Sequence, residues 1–88
     1  MNRDELSLRI KSILVRELDL SVIPMQIGDN EPLYSSFIRL DSLSLLRMIL
    51  ALEREFQIEI DDEDVMEANL ETVQSLIELI SKAISTKQ

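Results

Sequence analysis

Apolar residues recur at helical spacing near both ends of the chain. Residues three or four apart share one face of a helix, so each run predicts an amphipathic helix. Asn2 or Asp4 can cap the first helix, which is expected to end near Glu17 or Leu18. Thr72 can cap the last, and its end, from Ser81 to Gln88, is expected to fray. The two apolar faces are Leu6, Ile10, Ile13, Leu14 and Leu18 in the first helix, and Val73, Leu76, Ile77, Ile80 and Ile84 in the last.

A central stretch from Ser42 to about Phe56 is apolar around much of a helical circumference. A set this wide predicts a helix that is buried on most sides. Asp41 can cap it, which leaves Ser42 at the first helical position, near the positive end of the helix dipole. A serine there is well placed to carry a phosphate. The apolar positions are Leu43, Leu46, Met48, Ile49, Leu50, Leu52 and Phe56.

The remaining segments predict one long loop and one short helix. The connection from the first helix to Leu40 holds both prolines and the only glycine, and a helical turn is expected over Pro32 to Phe37. After the central helix, Asp61 or Asp62 can cap a short helix that ends near Met66 or Glu67. Its expected inward contacts are Val65 and Met66. The apolar loop residues that predict a loop packed on the bundle are Val22, Ile23, Met25, Ile27, Leu33, Tyr34, Phe37 and Ile38.

These elements predict an all-α fold, a four-helix bundle with three longer helices, a short third helix and a long first loop. With 88 residues the chain is expected to form a single domain, 1–88, with an ordered core over about residues 4–82. The expected core comprises Leu46, Ile49, Leu50, Phe56, Ile58, Val65, Leu76 and Ile80.

Negative charge dominates the composition and is concentrated in one segment. Seventeen acidic residues against nine basic ones give a net charge of −8. Residues 53–71, the acidic segment, hold nine of the acids and one base, Arg54, and therefore account for the whole net charge. Such a charge disfavours nucleic acid and anionic membranes as partners and favours basic protein surfaces.

The absent residue types exclude several kinds of chemistry. The chain has no cysteine and no histidine, so it offers no thiolate nucleophile, no imidazole base, no Cys/His zinc site and no Ser-His-Asp triad. The acidic segment lacks the calcium-loop pattern with its central glycine. We therefore expect no catalytic residue and no metal site.

The sequence contains no targeting or membrane-spanning signal. The charged N-terminus is unlike a signal peptide, and no stretch is long enough to span a bilayer. A cytoplasmic monomer is expected.

Four elements of the sequence together resemble the acyl carrier proteins. They are Asp-Ser-Leu at 41–43 before the hydrophobic helix, the run Ala-Leu-Glu-Arg-Glu-Phe-Gln-Ile-Glu-Ile at 51–60, the acidic turn at 61–64, and Glu-Thr-Val at 71–73. The resemblance extends from Asp4 to Ile80. The triplet alone is a weak signal, but its place in this arrangement makes the signal strong.

The resemblance implies that Ser42 receives 4'-phosphopantetheine from coenzyme A through a phosphopantetheinyl transferase. Acyl groups would then travel as thioesters on the thiol of that arm to enzymes of fatty acid, polyketide or related biosynthesis, which would dock through basic surfaces. The expected partner-facing residues are Asp41, Leu43, Arg47, Met48, Glu53, Glu55, Asp61 and Asp62.

The sequence departs from the family pattern around Ser42. The family usually has glycine where this chain has Arg39, and commonly has acids where this chain has Ser44 and Arg47. We hypothesise that Arg39, Arg47 and Arg54 retune the choice of partner. Two alternatives stay open: an aminoacyl or peptidyl carrier that serves an adenylating ligase, and a helical adaptor that binds its partners without a prosthetic group.

Overall fold

The computed structural model describes residues 1–87, which form four α-helices and one short 3-10 helix. This part of the chain contains no strand, only an isolated antiparallel bridge between Pro32 and Thr72. The predicted all-α bundle is therefore confirmed, with its short third helix and long first loop. The helices are α1 (Arg3–Leu18), the 3-10 helix (Pro24–Gln26), α2 (Ser42–Phe56), α3 (Asp62–Ala68) and α4 (Val73–Lys87).

The ends of the helices follow local side-chain chemistry. The side-chain oxygen of Asn2 accepts the amide hydrogen of Glu5 at 2.8 Å, and Thr72 Oγ1 accepts that of Ser75 at 3.3 Å, as the capping pattern predicts. Asp61 occupies the cap position of α3, but its side chain makes no capping hydrogen bond. The fourth helix continues to Lys87, past Ser81, where fraying was expected to begin, and Gln88 lies outside the described residues.

The interior is apolar and is formed by α1, α2, α4 and the long loop. The predicted faces of α1 and α4 are confirmed, since their apolar residues are buried, with Leu18 and Ile84 half-buried. No polar or charged residue in the described part of the chain is buried. The most deeply buried side chains are Ile10, Leu14, Ile27, Leu33, Ile38, Met48, Leu52, Val73, Leu76, Ile77 and Ile80.

The expectation that α2 is buried on most sides is wrong. The α2 helix lies against α1 and buries the side that carries Met48 and Leu52, so the opposite side faces solvent. Leu46 and Leu50, which we expected in the core, are 56% and 51% exposed. Two further expected core residues, Phe56 and Val65, are half-buried, and Met66 of α3 points outward with 80% exposure.

The long loop is held on the bundle by backbone hydrogen bonds to the start of α4. The Leu33 amide donates to the Glu71 carbonyl at 2.8 Å, and the Val73 amide donates to the Glu31 carbonyl at 3.0 Å. These bonds hold Pro32 in its bridge with Thr72. The turn predicted over Pro32 to Phe37 is present as hydrogen-bonded turns, with the Ser35 amide donating to the Pro32 carbonyl at 3.3 Å, and does not lengthen into a helix. Proline instead begins the 3-10 helix at Pro24.

Asp29 fastens the same loop to two helices at once. Its carboxylate pairs with Lys11 Nζ of α1 at 2.7 Å and accepts from Ser7 Oγ at 3.4 Å. Its carbonyl accepts the Gln74 amide of α4 at 2.8 Å. The hydrogen bond from Lys11 lowers the pKa of the Asp29 carboxyl, so this contact persists below the pH at which an ordinary aspartate is protonated.

Arg9 joins α1 to the end of α2. Its guanidinium pairs with the Glu55 carboxylate at 2.6 Å and lies over the Phe56 ring, 4.6 Å from the ring centre. An arginine over an aromatic face gains a cation–π attraction in addition to the ion pair. These contacts hold the C-terminal turn of α2 against α1.

The acidic segment leads us to expect that added salt stabilises the fold. Of the ion pairs formed within the described residues, only the one between Arg9 and Glu55 involves an acid of this segment. Repulsion among the others is screened over about 8 to 10 Å at 0.10 to 0.15 M salt. We expect sodium chloride or magnesium to raise the melting temperature by about 2 to 5 °C, measured by circular dichroism.

A matched variant separates screening from other effects of salt. Glu59 and Glu67 are exposed and form no ion pair in the described structure. The double variant Glu59→Gln/Glu67→Gln should melt higher than the original chain at low salt and should gain less from added salt. A melting temperature that stays flat or falls with salt in the original chain would contradict the argument.

Candidate functional site

The start of α2 presents one serine hydroxyl on the surface. Asp41 takes the cap position in an extended conformation, and its carboxylate accepts the Ser44 amide at 2.7 Å, as predicted. Its carbonyl accepts the Leu45 amide at 2.8 Å, which begins the helical bonding. Ser42 is the first helical residue and is exposed, and its hydroxyl makes no hydrogen bond to any described residue. Ser42 is therefore accessible from solvent.

Two buried residues anchor the segment that precedes Ser42. Ile38 and Leu40 lie in the core, and the Leu40 amide donates to the Leu33 carbonyl at 3.1 Å. Ser35 accepts twice in the same turn, through Oγ from the Ile38 amide at 3.1 Å and through its carbonyl from the Arg39 amide at 2.7 Å. The chain thus reaches Asp41 from a fixed point, which fixes where Ser42 emerges.

The hydrogen bond from the Ser44 amide holds the pKa of the Asp41 carboxyl below its ordinary value. A carboxyl whose pKa is lower in the folded chain than in the unfolded chain stabilises the fold above the unfolded pKa, about 3.9 for aspartate. That contribution is lost as the pH falls through the lower, folded pKa. The Asp41 cap of α2 therefore weakens only in acid.

We expect Asp41→Ala to lower the melting temperature at pH 7, and the difference from the original chain to shrink as the pH is lowered from 4 towards 3. Asp41→Asn is the matched control, because its amide oxygen can accept the Ser44 hydrogen bond at every pH. Thermal melts of the three chains across this range test the expectation. A difference between Asp41→Ala and the original chain that is equal at pH 7 and pH 3 would show that the ionised carboxylate is not the stabilising group.

Two arginines lie near the serine, at positions where the resemblance implies glycine and an acid. Arg39 and Arg47 are exposed and form no ion pair within the described residues. Both line a groove of about 620 Å³ that runs from the end of α1 to the first turns of α2 and also includes Ser44. Arg39 has φ 59°, the left-handed region that glycine enters most readily, so the backbone here has the conformation that suits the family's usual glycine.

Three leucines form an exposed row on α2 that begins beside Ser42. Leu43, Leu46 and Leu50 are 67%, 56% and 51% exposed, and their spacing of three and four residues places them on one face. Our sequence analysis missed Leu46 and Leu50 as surface residues. The sequence did indicate which side of α2 faces solvent, through Arg47 and Arg54. These charged residues are seven positions apart, or two turns, and therefore lie on the same, solvent-facing side of the helix.

The other residues that we expected to face partners differ in their burial and in their contacts. Met48 is fully buried because it lies on the α1 side of α2, so its expected role in partner contact is corrected. The half-buried Glu53 uses its carboxylate to accept the Ile60 amide at 2.8 Å, and Glu55 pairs with Arg9. Asp61 and Asp62 are exposed at the start of α3.

Comparison with known proteins identifies the family. Residues 8–80 match the family model described as the phosphopantetheine attachment site. The chain belongs to the acyl carrier protein family. The acyl carrier protein of Buchnera aphidicola (subspecies Baizongia pistaciae) is 40% identical over 76 residues, covering 86% of this chain and 91% of that protein. The acyl carrier protein of Thermosynechococcus vestitus is 33% identical over 85 residues, covering 97% and 99%.

The fold is also similar to that of a solved structure. The acyl carrier protein from Enterococcus faecalis superimposes with a TM-score of 0.68 at 28% identity, covering 94% of this chain and 99% of that one. In the described part of this chain, no helix is both long and apolar enough to cross a membrane.

Membership in this family means that the chain is a carrier and that its cofactor is covalently attached 4'-phosphopantetheine. The start of α2 fits such a group. An attachment residue needs an accessible hydroxyl, and the phosphate that follows gains from the amides and the positive dipole at a helix N-terminus. When bound, the group supplies the thiol that this cysteine-free chain lacks.

Proposed function

We propose that Ser42 is the attachment residue for 4'-phosphopantetheine and that the chain carries acyl groups as thioesters on this arm. The observation that supports the proposal is the exposed Ser42 hydroxyl at the first position of α2, directly after the Asp41 cap. The turn that contains Ile38 and Leu40 would hold this hydroxyl in a constant place for each enzyme in turn.

In the attachment step, the Ser42 oxygen forms a bond to the phosphorus of the phosphopantetheine phosphate of coenzyme A. The pyrophosphate bond breaks, and the adenosine bisphosphate half of coenzyme A leaves. We place the base that takes the Ser42 proton on the transferase, because the neighbouring Asp41 carboxylate is engaged by the Ser44 amide. Asp41 keeps the first turn of α2 intact while its charge stays available to basic groups of that enzyme.

We further propose that residues 1–88 act as one non-catalytic, cytoplasmic and monomeric carrier domain. Its partners are a phosphopantetheinyl transferase and enzymes that load or use acyl chains in fatty acid, polyketide or related biosynthesis. Asp61 and Asp62, exposed at the start of α3, would meet basic surfaces on such enzymes. Neither nucleic acid nor a membrane is expected as a partner, given the net charge of −8.

An aminoacyl or peptidyl cargo is the second candidate. It is favoured by the exposed Arg39 and Arg47 near Ser42, which differ from the acidic pattern common to carriers of general fatty acid synthesis. Incubation of the phosphopantetheine-bearing form with a malonyl-transferring enzyme and with adenylating ligases separates the two candidates, because the mass gained identifies the cargo.

The test of the attachment itself is the intact mass after incubation with coenzyme A and a broad-specificity phosphopantetheinyl transferase. We expect a gain of one phosphopantetheine, located at Ser42 by peptide mapping. A folded chain that no transferase modifies would contradict the proposal and favour the helical adaptor. Such an adaptor would bind its partner equally well after Ser42→Ala.

A further inference from the structure

The groove near Ser42 has the size and part of the lining of a small-molecule site. It has a volume of about 620 Å³ and lies between the end of α1 and the first turns of α2. Apolar residues from the end of α1 and from the long loop line it, namely Leu18, Leu20, Phe37 and Ile38. Pockets that hold small molecules are typically about 300 to 1,000 Å³ and combine an apolar lining with a few well-placed polar groups.

The charged residues of the groove leave positive charge available to a ligand. Arg16, Arg39 and Arg47 line it together with two acids, Glu17 and Asp19. Among the described residues, Arg16 pairs with Glu17 at 3.3 Å, whereas Arg39 and Arg47 are exposed and form no ion pair. The groove therefore offers two guanidinium groups to an anion, although the whole chain carries −8.

The backbone places both of these arginines close to Ser42. Arg47 lies three residues after Ser44, so the two share the side of α2 that lines the groove. Arg39 lies two residues before Asp41 and has φ 59°. The other left-handed residues in the described chain each end a helix, where this conformation is usual. Elsewhere it costs free energy for a residue other than glycine, which points to a function for the Arg39 side chain.

A carboxylate on a short apolar chain fits this lining. A guanidinium binds a carboxylate through two parallel hydrogen bonds, and methylene groups can lie on the apolar residues. A free anion is repelled by the net charge of −8 as it approaches from solution. A group tethered at Ser42 is instead present at the groove at an effective concentration in the millimolar range, so a weak site is enough to hold it.

We infer that the groove is a subsite for the far end of the cargo, and that this cargo is a dicarboxylic acid joined to the arm through one of its carboxyl groups. The free carboxylate would pair with Arg39 and Arg47, and the methylene groups would lie against Leu20 and Phe37. The same arginines would repel an α-amino group, so within this subsite they favour an acyl cargo over an aminoacyl one. The inference rests on the proposed attachment to Ser42 and adds the class of acyl group.

Three loaded forms of the isotopically labelled chain test the inference. A broad-specificity transferase supplied with succinyl-coenzyme A, butyryl-coenzyme A or coenzyme A attaches the arm with a succinyl group, with a butyryl group or without cargo, and intact mass verifies each product. Succinyl differs from butyryl by a carboxylate in place of the terminal methyl group. We expect the succinyl form alone to shift the amides of residues 36–39 and 44–47, and added salt to reduce this shift.

Neutral variants test the role of the two arginines. Arg39→Gln/Arg47→Gln should reduce the shift difference between the succinyl and butyryl forms by about fivefold or more, because the carboxylate then lacks a positive partner. The matched control is Arg3→Gln/Arg54→Gln, which makes the same change in net charge at exposed positions outside the groove lining. This control should keep most of the difference, and circular dichroism verifies that both variants are folded.

A free thioester tests the groove without any bond to Ser42. Succinyl-pantetheine and butyryl-pantetheine are titrated into the unmodified original chain. We expect the succinyl compound to shift the same amides with a Kd of roughly 1 to 10 mM, and the butyryl compound to bind about fivefold or more weakly, as befits a site built to act on a tethered group. A chain that responds in this way but that no transferase modifies would contradict the attachment and retain the groove as a carboxylate site.

Four results would overturn the inference. The first two are equal shifts from the succinyl and butyryl forms, and equal shifts from the succinyl form and the form without cargo, which would assign the groove to the arm itself. The third is an equal loss in both double variants, which would indicate an effect of net charge alone. The fourth is an unmodified chain whose groove amides do not respond to succinyl-pantetheine.

Discussion

Ser42→Ala is expected to abolish the incorporation of phosphopantetheine completely. The change removes one exposed hydroxyl that makes no hydrogen bond to any described residue, so the fold should persist unchanged. Alanine is also a good helix former at this first position. The measurement is the intact mass after incubation with coenzyme A and the transferase, together with a circular dichroism spectrum that confirms the helices.

Ser44→Ala is the matched control for this prediction. Ser44 lies two residues further along α2, and its backbone amide, which bonds to Asp41, is retained in the variant. This variant should gain the full mass of one phosphopantetheine. A modified Ser42→Ala chain, or a Ser44→Ala chain that is folded but unmodified, would assign the attachment to another residue.

Leu33→Ala is expected to cause the largest loss of stability among single changes in the long loop. Leu33 is fully buried, and removal of a buried leucine side chain costs about 2 to 5 kcal/mol through lost burial and the cavity left behind. A chain of this size is expected to have a free energy of unfolding of about 5 to 13 kcal/mol, so the loss is a large part of the total. Urea denaturation followed by circular dichroism measures it.

Tyr34→Ala is the control for Leu33→Ala. Tyr34 is the next residue along the same loop and is 57% exposed, so its removal should change the free energy of unfolding by less than about 1 kcal/mol. Equal losses in the two variants would mean that the loop is not packed as described. The comparison also tests whether Leu33 helps to hold the segment that leads to Asp41, because the Leu33 carbonyl accepts the amide of Leu40, the residue before Asp41.

The positions of the helices could be predicted because their signals are local. Asn2, Asp41 and Thr72 cap helices through bonds to amides three residues ahead, and such bonds depend on a few neighbouring residues only. The apolar faces of α1 and α4 follow from spacing alone, since each has a polar face opposite. The same reasoning placed Ser42 at the start of α2.

The exposed side of α2 could not be predicted from its apolar residues, and only the charged Arg47 and Arg54 indicated it. Apolar residues surround most of this helix, so its periodicity does not say which third of the circumference meets α1. The turn expected over Pro32 to Phe37 forms, since the Ser35 amide donates to the Pro32 carbonyl and the Arg39 amide donates to the Ser35 carbonyl, but it does not lengthen into a helix. Long-range bonds from Leu33 to Glu71 and from Val73 to Glu31 hold this part of the loop against the start of α4.

The four helices, the side-chain caps of α1, α2 and α4, the concentration of charge in residues 53–71 and the serine at the start of α2 could all be predicted from the sequence. Each of these depends on residues that are close together along the chain. Only the packing of the helices shows that Met48 is buried while Leu46 and Leu50 are exposed, and that Arg39 and Arg47 border one groove. These facts depend on how α1 and the long loop pack against α2, which is set by contacts between distant parts of the chain.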